Sequence, residues 1–264
     1  MIDPLTARVE RRGPVAPRAA LAKLAAALLI AVPLILSIDV VSASVALLLE
    51  IPLLLLAGLG PREFWVRTAV LWIAAPLSAV TIALYGAQSG TVHFEWLFMR
   101  VSDGSLTLAA ATAVRVLAIG LPSVMLFVTV DPTDLADGLA QRLRLPARFV
   151  IGALAGMRML GLLADDWRAL ALARRARGVA DQGRVRRALG MAFALFVLAI
   201  RRGSSLATAM EARGFGASGP RTWARASPWT RGDTALVLIA AVIPAVAIAA
   251  AVATGAWNFI LGPR

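Results

Sequence analysis

Apolar residues fill most of this chain in long runs that short polar stretches interrupt. Five runs of about 20 residues or more cover positions 19–38, 40–59, 65–85, 105–130 and 234–261. A helix needs about 20 consecutive apolar residues to cross the roughly 30 Å hydrocarbon core of a bilayer. The pattern therefore predicts about five transmembrane helices, four before residue 130 and one at the end of the sequence.

Between residues 131 and 220 the apolar positions recur at helical spacing instead of in unbroken runs. A proline just inside a helix start, at Asp131-Pro132, predicts a short amphipathic helix over residues 134–144. A continuous helix of about 48 Å is predicted next, over residues 146–178, at 1.5 Å per residue. Its apolar first half and basic second half indicate a helix that starts at the membrane and leaves it.

A second long helix is predicted over residues 184–213. Its apolar core, residues 188–200, is only about 13 residues long, which is too short to cross a bilayer. We therefore expect this helix to be tilted, interfacial or buried in protein. Residues 86–104, by contrast, mix aromatic and charged side chains. They predict an outside loop or a re-entrant segment in the membrane interface.

These patterns predict an all-α membrane protein whose chain divides into four segments. The first segment is a polar tail (residues 1–18), and the second is a transmembrane region of four helices (residues 19–130). The third holds one short and two long amphipathic helices (residues 131–220). The fourth consists of a linker and the last transmembrane helix (residues 221–264). Composition agrees with this class, because 59% of the residues are hydrophobic. An ordinary soluble domain has about 45–50%.

The residue inventory excludes several kinds of chemistry. The chain has no cysteine, a single histidine, His93, and a single lysine, Lys23. Thiolate nucleophiles, disulfides and zinc clusters are therefore excluded. No glycine-rich loop precedes Lys23, so a phosphate-binding G-x-x-x-x-G-K-[ST] loop is absent. We expect a non-catalytic protein without metal or cofactor, and ATP-driven transport by it would need a separate motor protein.

The net charge of +12 is concentrated in one part of the chain. Between Arg142 and Arg231 there are 17 arginines against four acidic residues. Cytoplasmic loops of membrane proteins are enriched in basic residues, which accounts for this excess. An acidic protein partner or anionic lipid headgroups are the alternative explanations. Nucleic acid is disfavoured, because the charge lies between membrane segments and lacks a platform of stacking aromatic residues.

Arg115 lies near the middle of the fourth apolar run. An arginine inside a bilayer is costly unless it faces protein or water. Two alternatives follow from this position. Arg115 forms a structural ion pair, for which Glu50 in the second run is a candidate, or it contacts a transported substrate.

Each of the two long predicted helices ends in the same tripeptide. The first ends at Ala176-Arg177-Gly178 and the second at Ala212-Arg213-Gly214, with the arginines 36 residues apart. Glycine after the last turn and arginine within it are an ordinary helix C-cap. The same geometry would direct each guanidinium beyond its helix, toward carboxylates or carbonyls of a partner. The repetition on two successive basic helices favours the second interpretation without excluding the first.

Residues 134–142 nearly match a different motif. The sequence DLADGLAQR is close to D-x-x-D-G-x-x-A-R, which opens the signature of membrane CDP-alcohol phosphotransferases. That signature continues with a glycine and two more aspartates, because its metal site needs four carboxylates. Here Gly152 lies one place late and no acidic residue occurs between Asp137 and Asp165. This enzyme class is therefore disfavoured.

Three stretches together resemble the transmembrane T component of energy-coupling factor (ECF) ABC importers. They are DPTDLADGLAQRLRLPARFVIGALAGMRML, DDWRALALARRARG and RRGSSLATAMEARGFG. The two Ala-Arg-Gly motifs are the hallmark of that family, which includes the equivalent subunits of cobalt, nickel and biotin transporters. The resemblance extends from about Pro17 to Pro220, and MEARGFG is a closer match than RRARGVA.

The resemblance implies a function for both motifs. In such importers two long coupling helices seat their ends on two ABC-type ATPases, so Ala176, Arg177, Gly178, Ala212, Arg213 and Gly214 would form the ATPase-coupling sites. The apolar parts of those helices would hold a separate substrate-binding membrane protein, the S component. ATP binding would move the helices, and the S component would release a vitamin or transition-metal ion inside the cell. The resemblance also implies a bacterial cytoplasmic membrane and a cytoplasmic N-terminus.

A rival from another class stays open at this point. The chain would then be a stand-alone membrane permease, or a scaffold whose basic helices lie on anionic lipid headgroups. Co-purification with two ATPase subunits distinguishes the importer from this rival.

Overall fold

The computed structural model describes residues 13–86, 89–96, 99–178, 183–217 and 222–259. Within these residues there are eight helices and one β-hairpin, so the predicted all-α class is confirmed. In chain order they are α1 (Ala20–Leu36), α2 (Val40–Leu56), α3 (Pro61–Tyr85), β1 (Val92–Trp96), β2 (Met99–Ser102), α4 (Asp103–Val128), α5 (Pro132–Gln141), α6 (Ala147–Ala176), α7 (Arg184–Ala212) and α8 (Arg231–Ala253).

The chain divides into two compact units. The first, which we call the bundle unit, comprises residues 1–135 and 228–264, and the second, which we call the arm unit, comprises residues 136–227. The bundle unit contains α1–α4, α8 and the hairpin. The arm unit contains most of α5 and all of α6 and α7.

The helix directions in the bundle unit follow from polar contacts at its two ends. At one end the Ala19 N–H donates to Asp233 Oδ1 (2.8 Å), so α1 and α8 begin side by side. Lys23 Nζ donates to the Thr129 carbonyl (3.1 Å) at the same end, where α4 terminates. At the opposite end the Ile38 N–H donates to the Asn258 carbonyl (2.7 Å) beyond α8. Thus α1 runs parallel to α8 and antiparallel to α4.

Small side chains form much of the core of the bundle unit. Seven alanines lie among larger aliphatic residues in the cluster that joins α1, α2, α4 and α8. Small residues allow helix backbones to approach closely, which is how transmembrane helices gain packing energy. The core members include Ala22, Ala26, Ile30, Leu34, Ala46, Ala118, Ala240, Ile243 and Ala247.

Five described helices are long and apolar enough to cross a membrane, but they are not the five that the sequence predicted. They are α3, α4, α6, α7 and α8. The first two predicted spans are helices of 17 residues each, α1 and α2, or about 26 Å at 1.5 Å per residue. The Asp39 carboxylate accepts the Ser42 N–H and so starts a new helix. By length alone α6 and α7 qualify ahead of α1 and α2, which are the more apolar helices.

Two other boundaries differ from the prediction. The last helix ends at Ala253 and not at residue 261, because Gly255 adopts a left-handed φ of 68° and turns the chain. Phe259 then pairs with Ser37 in an isolated β-bridge. The short helix α5 ends at Gln141, three residues early, and Arg144 follows with φ 53°.

Residues 86–104 contain regular structure that the sequence did not predict. β1 and β2 form an antiparallel hairpin in which Glu95 pairs with Arg100 and Trp96 with Met99. Pairing satisfies backbone N–H and C=O groups of the two strands. Ser102 then caps α4 through the Ser105 N–H, so the hairpin leads directly into that helix.

Glu50, the candidate partner of Arg115, does not pair with it in the structure. Both Glu50 carboxylate oxygens are buried without a hydrogen-bond partner among the described residues, as are Arg115 Nε and Nη2. The charge that acts on Arg115 is that of Asp39, the residue just before α2.

Candidate functional site

The two Ala-Arg-Gly motifs end α6 and α7 in the same backbone conformation. Gly178 and Gly214 have left-handed φ values of 69° and 76°. Their N–H groups donate to the carbonyls of Arg175 (3.1 Å) and Glu211 (2.9 Å). In α7 the Phe215 N–H also donates to the Met210 carbonyl (2.9 Å), which completes a Schellman motif. The helix-capping account of the motifs is therefore confirmed.

The arginine of each motif is the C-cap residue of its helix. Arg177 has φ −87° and ψ 3°, and Arg213 has φ −91° and ψ 13°. Both residues are exposed. Within the described parts of the chain neither guanidinium makes a hydrogen bond or an ion pair. Capping therefore positions two similar guanidinium groups that can each bind a carboxylate in bidentate fashion.

The helices α6 and α7 form an antiparallel pair. The Arg174 guanidinium near the end of α6 donates to the carbonyls of Gly190 (3.0 Å) and Arg187 (3.5 Å) near the start of α7. Farther along, the Met159 methyl lies 3.7 Å from the position that a Cβ on Gly203 would occupy. From Gly190 to Arg213 the helix rises about 34 Å. The two motifs thus lie at opposite ends of the pair.

An ion pair joins α6 to α7 between these contacts. Arg202 Nη2 donates to Asp166 Oδ1 (2.9 Å), and Arg202 Nη1 lies 2.7 Å from Asp166 Oδ2 without hydrogen-bond geometry. The sequence did not single out either residue. A signal for the pair was present, since Asp166 and Arg202 each lie 11 residues before the motif arginine of their own helix.

The chain enters and leaves the arm unit at adjacent points. Gln141 Nε2 donates to the Arg225 carbonyl (2.8 Å), and Gln141 Oε1 accepts the Ser227 N–H (3.0 Å). The Arg142 guanidinium donates to the Ser227 carbonyl through Nε (3.1 Å) and Nη2 (3.0 Å). These bonds join the first residues of the arm unit to its last residues, on either side of α6 and α7 in the chain.

Much of the arm unit is apolar and uncovered. Large side chains such as Leu160, Phe193 and Phe196 are more than half exposed. A groove of about 350 Å³ also opens between α6 and α7. Its apolar lining consists of Ile151, Leu154, Ala155, Met159, Leu162 and Leu206, with Arg158 and Arg202 beside them. Monomeric soluble proteins rarely expose so large an apolar surface, so this surface meets lipid or another protein.

The residues of the near-match to phosphotransferases lie on one short helix. Asp134 is in the first turn of α5, and Asp137 is one turn later. In the described residues no three His, Cys, Asp or Glu side chains gather in a group that could hold a metal ion. The side chain of His93 lies outside the described part of the structure.

Comparisons with known proteins agree on one family. Residues 16–222 match the family model described as cobalt transport protein (CbiQ). Three curated relatives are each named energy-coupling factor transporter transmembrane protein EcfT. The relative from Limosilactobacillus fermentum is 27% identical over 199 residues, or 71% of both chains. That from Brevibacillus brevis is 30% identical over 65% of this chain and 70% of its own. That from Bacillus subtilis is 27% identical over 67% and 70%.

Proposed function

This chain belongs to the cobalt transport protein family, as the T component of an ECF transporter, and we propose that it couples two ABC-type ATPase subunits to a separate S component. In this proposal α6 and α7 are the coupling helices. Arg177 and Arg213, each held within its Ala-Arg-Gly motif, seat one ATPase apiece. The chain is a multi-pass membrane protein, and hydrolysis of ATP takes place on its partners.

The observation that carries the proposal is the pair of exposed arginines at the two ends of the arm unit. Two similar caps present two guanidinium groups in the same local geometry. A partner with two equivalent acidic sites would fit this arrangement, and in this proposal a pair of ATPase subunits supplies them. Arginine suits the contact because its charge is permanent and its planar fork binds carboxylates in a defined direction.

The exposed apolar surface of the arm unit supports the second part of the proposal. Leu160, Phe193 and Phe196 lie on the helices that carry the motifs. A membrane protein docked against this surface would move whenever the ATPases move the helix ends. The S component would select the cargo, which in this family is a vitamin or a transition-metal ion.

The same proposal orients the chain in the bacterial cytoplasmic membrane. The ATPases act inside the cell, so both motif ends are reached from the cytoplasm, and the antiparallel pair of α6 and α7 lies along the membrane instead of crossing it. The excess of arginine between residues 142 and 231 agrees with that side under the positive-inside rule. The N-terminal tail, residues 1–18, is placed on the cytoplasmic side for the same reason.

Charge reversal tests the proposal. Arg177→Glu and Arg213→Glu are expected to lower uptake at least tenfold, which corresponds to about 1.4 kcal/mol of lost binding. Uptake is measured in cells of the source organism that lack the native gene, with a panel of labelled vitamins and of cobalt and nickel ions.

Two exposed arginines on the same helices serve as matched controls. Arg168→Glu in α6 and Arg201→Glu in α7 change the same charge away from the motifs, and we expect near-normal uptake. Normal uptake by both motif variants would overturn the coupling role. A tagged chain that purifies without ATPases but binds anionic liposomes would favour the lipid-binding scaffold instead.

A further inference from the structure

The contact between Asp166 and Arg202 differs from an exposed ion pair within α6. It joins two helices, and its side chains are 19% and 38% exposed. The pair between Asp165 and Arg168 lies within α6, spans 3.5 Å, and its side chains are 72% and 64% exposed. Solvent-exposed pairs contribute little to stability, whereas a partly buried arginine–carboxylate pair with a charge-assisted hydrogen bond is stronger and has a defined direction. Asp166 and Arg202 are thus suited to hold one helix against the other.

The position of this pair is symmetric with respect to the two motifs. Asp166 lies 11 residues before Arg177, and Arg202 lies 11 residues before Arg213. In an antiparallel pair of helices, a local twofold axis through the crossing exchanges the two helices. If the axis passes between Asp166 and Arg202, it exchanges Arg177 with Arg213. Each motif arginine is then about 16 Å from the crossing along its own helix.

Little apolar packing holds this crossing in place. Among the described residues of α6 and α7, only Val150 and Met191 are buried hydrophobic side chains. A pair of helices without an interlocked apolar seam can slide or rotate at low cost. The polar contacts of Asp166 with Arg202, and of Arg174 with Gly190, are therefore two specific restraints on the register.

We propose that Asp166 and Arg202 are positioning residues that pin the crossing of α6 and α7 at equivalent points. This keeps the two motif arginines equally far from the crossing, on opposite sides of it, and at most about 33 Å apart along the helices. A partner with two sites related by a twofold axis can then engage both arginines at once. The inference rests on the proposed function for its effect on uptake, but the geometry can be tested without any partner.

The distance between the helix ends is the direct test. The chain has no cysteine, so spin labels can be attached at Ala173→Cys and Ala209→Cys, two exposed positions that each lie four residues before a motif arginine. Distances are measured by pulsed electron paramagnetic resonance on the full chain in lipid nanodiscs. We expect one narrow distribution for the chain with native Asp166 and Arg202.

Substitutions at the pair then decide the outcome. Asp166→Ala and Arg202→Ala should each broaden the distribution, and the double substitution should broaden it no further, because both remove one contact. The charge swap Asp166→Arg with Arg202→Asp should restore the narrow distribution. The neighbouring variant Asp165→Ala is the matched control and should leave it unchanged. An unchanged distribution in Asp166→Ala, or equal broadening in Asp165→Ala, would overturn the inference.

Uptake separates this inference from the proposed function. Asp166→Ala is expected to lower uptake about fivefold and the charge swap to restore it. If the Asp166→Ala variant does not accumulate in the membrane, the charge-swap variant is measured instead. A narrow distance distribution in the charge-swap variant supports the inference, and failure of that variant to accumulate contradicts it. If the motif variants Arg177→Glu and Arg213→Glu keep normal uptake, the proposed function fails while the distance result still stands.

Discussion

At the scale of single residues, Gly178 and Gly214 determine where the motif arginines lie. Both have a left-handed φ, and a Cβ added at either position would meet no atom within 4 Å. Glycine is therefore required by the backbone conformation and not by crowding around these positions. The sequence predicted this much, because a C-cap is a local signal carried by two or three adjacent residues.

Replacing Gly214 with alanine should loosen the end of α7. The left-handed conformation costs a residue with a Cβ about 1 kcal/mol or more, so amide hydrogen exchange in the last turn of α7 should quicken about fivefold. Gly161→Ala in the middle of α6 is the matched control, because alanine is favoured by about 0.5–1 kcal/mol in a helix interior. Unchanged exchange around residues 210–215 in Gly214→Ala would contradict the account of the cap.

Glu50 shows what the sequence could not predict at this scale. Its two carboxylate oxygens lie in the bundle core without a partner among the described residues. Pairing across helices depends on their direction and rotation, which no local pattern records. Arg115 and Glu50 therefore looked like partners in the sequence and are not partners in the structure.

Replacing Glu50 with methionine should stabilise the bundle unit. The substitution keeps the side-chain length and removes an unsatisfied buried polar group, which costs about 1–3 kcal/mol. The thermal unfolding midpoint of the detergent-solubilised protein should rise by a few degrees. Glu63→Met, in the first turn of α3, should give no such rise, because an acidic residue there favours the helix dipole. A lower midpoint for Glu50→Met would show that the carboxyl is satisfied after all.

At the scale of helices and strands, the sequence predicted the arm unit better than the ends of the bundle unit. α6 and α7 begin and end within two residues of the prediction, because proline and glycine flank them. The hairpin of β1 and β2 was missed because its pairing joins residues that no alternating pattern identifies. The end of α8 was missed because the apolar run continues past Gly255, where the helix turns.

Lys23 shows how an element is held by a contact between distant residues. Its side chain is 1% exposed, and its ammonium group donates to the carbonyls of Ala16 (2.8 Å) and Thr129 (3.1 Å). It thus joins the segment before α1 to the end of α4. The sequence identified Lys23 only as a lysine without a phosphate-binding loop.

Replacing Lys23 with methionine should destabilise the bundle unit. Two carbonyls lose a charged donor, and hydrogen bonds to charged groups contribute about 1.5–3 kcal/mol each. The thermal midpoint should fall by several degrees. Arg62→Met removes an exposed basic side chain at the start of α3 and is the matched control, for which we expect little change. An equal midpoint for both variants would contradict a role for Lys23 in holding α4.

At the scale of the whole molecule, the two units divide the work that we propose. The bundle unit has an interlocked core of small residues, as expected of a membrane anchor. The arm unit has little buried apolar surface of its own and ends in two exposed arginines. Such a unit gains its remaining contacts from partners. The sequence predicted the Ala-Arg-Gly ends of α6 and α7. It did not predict the contact between Asp166 and Arg202, because that contact forms only when the two helices pack together.

The most direct measurement is the number of ATPase subunits bound to one T component, taken from the mass of the purified complex. The chain with both motif arginines should carry two ATPase subunits, and Arg177→Glu and Arg213→Glu should each carry fewer. The double variant should carry none, whereas Arg168→Glu with Arg201→Glu should keep two. Two ATPase subunits bound to the double variant Arg177→Glu with Arg213→Glu would contradict the central claim.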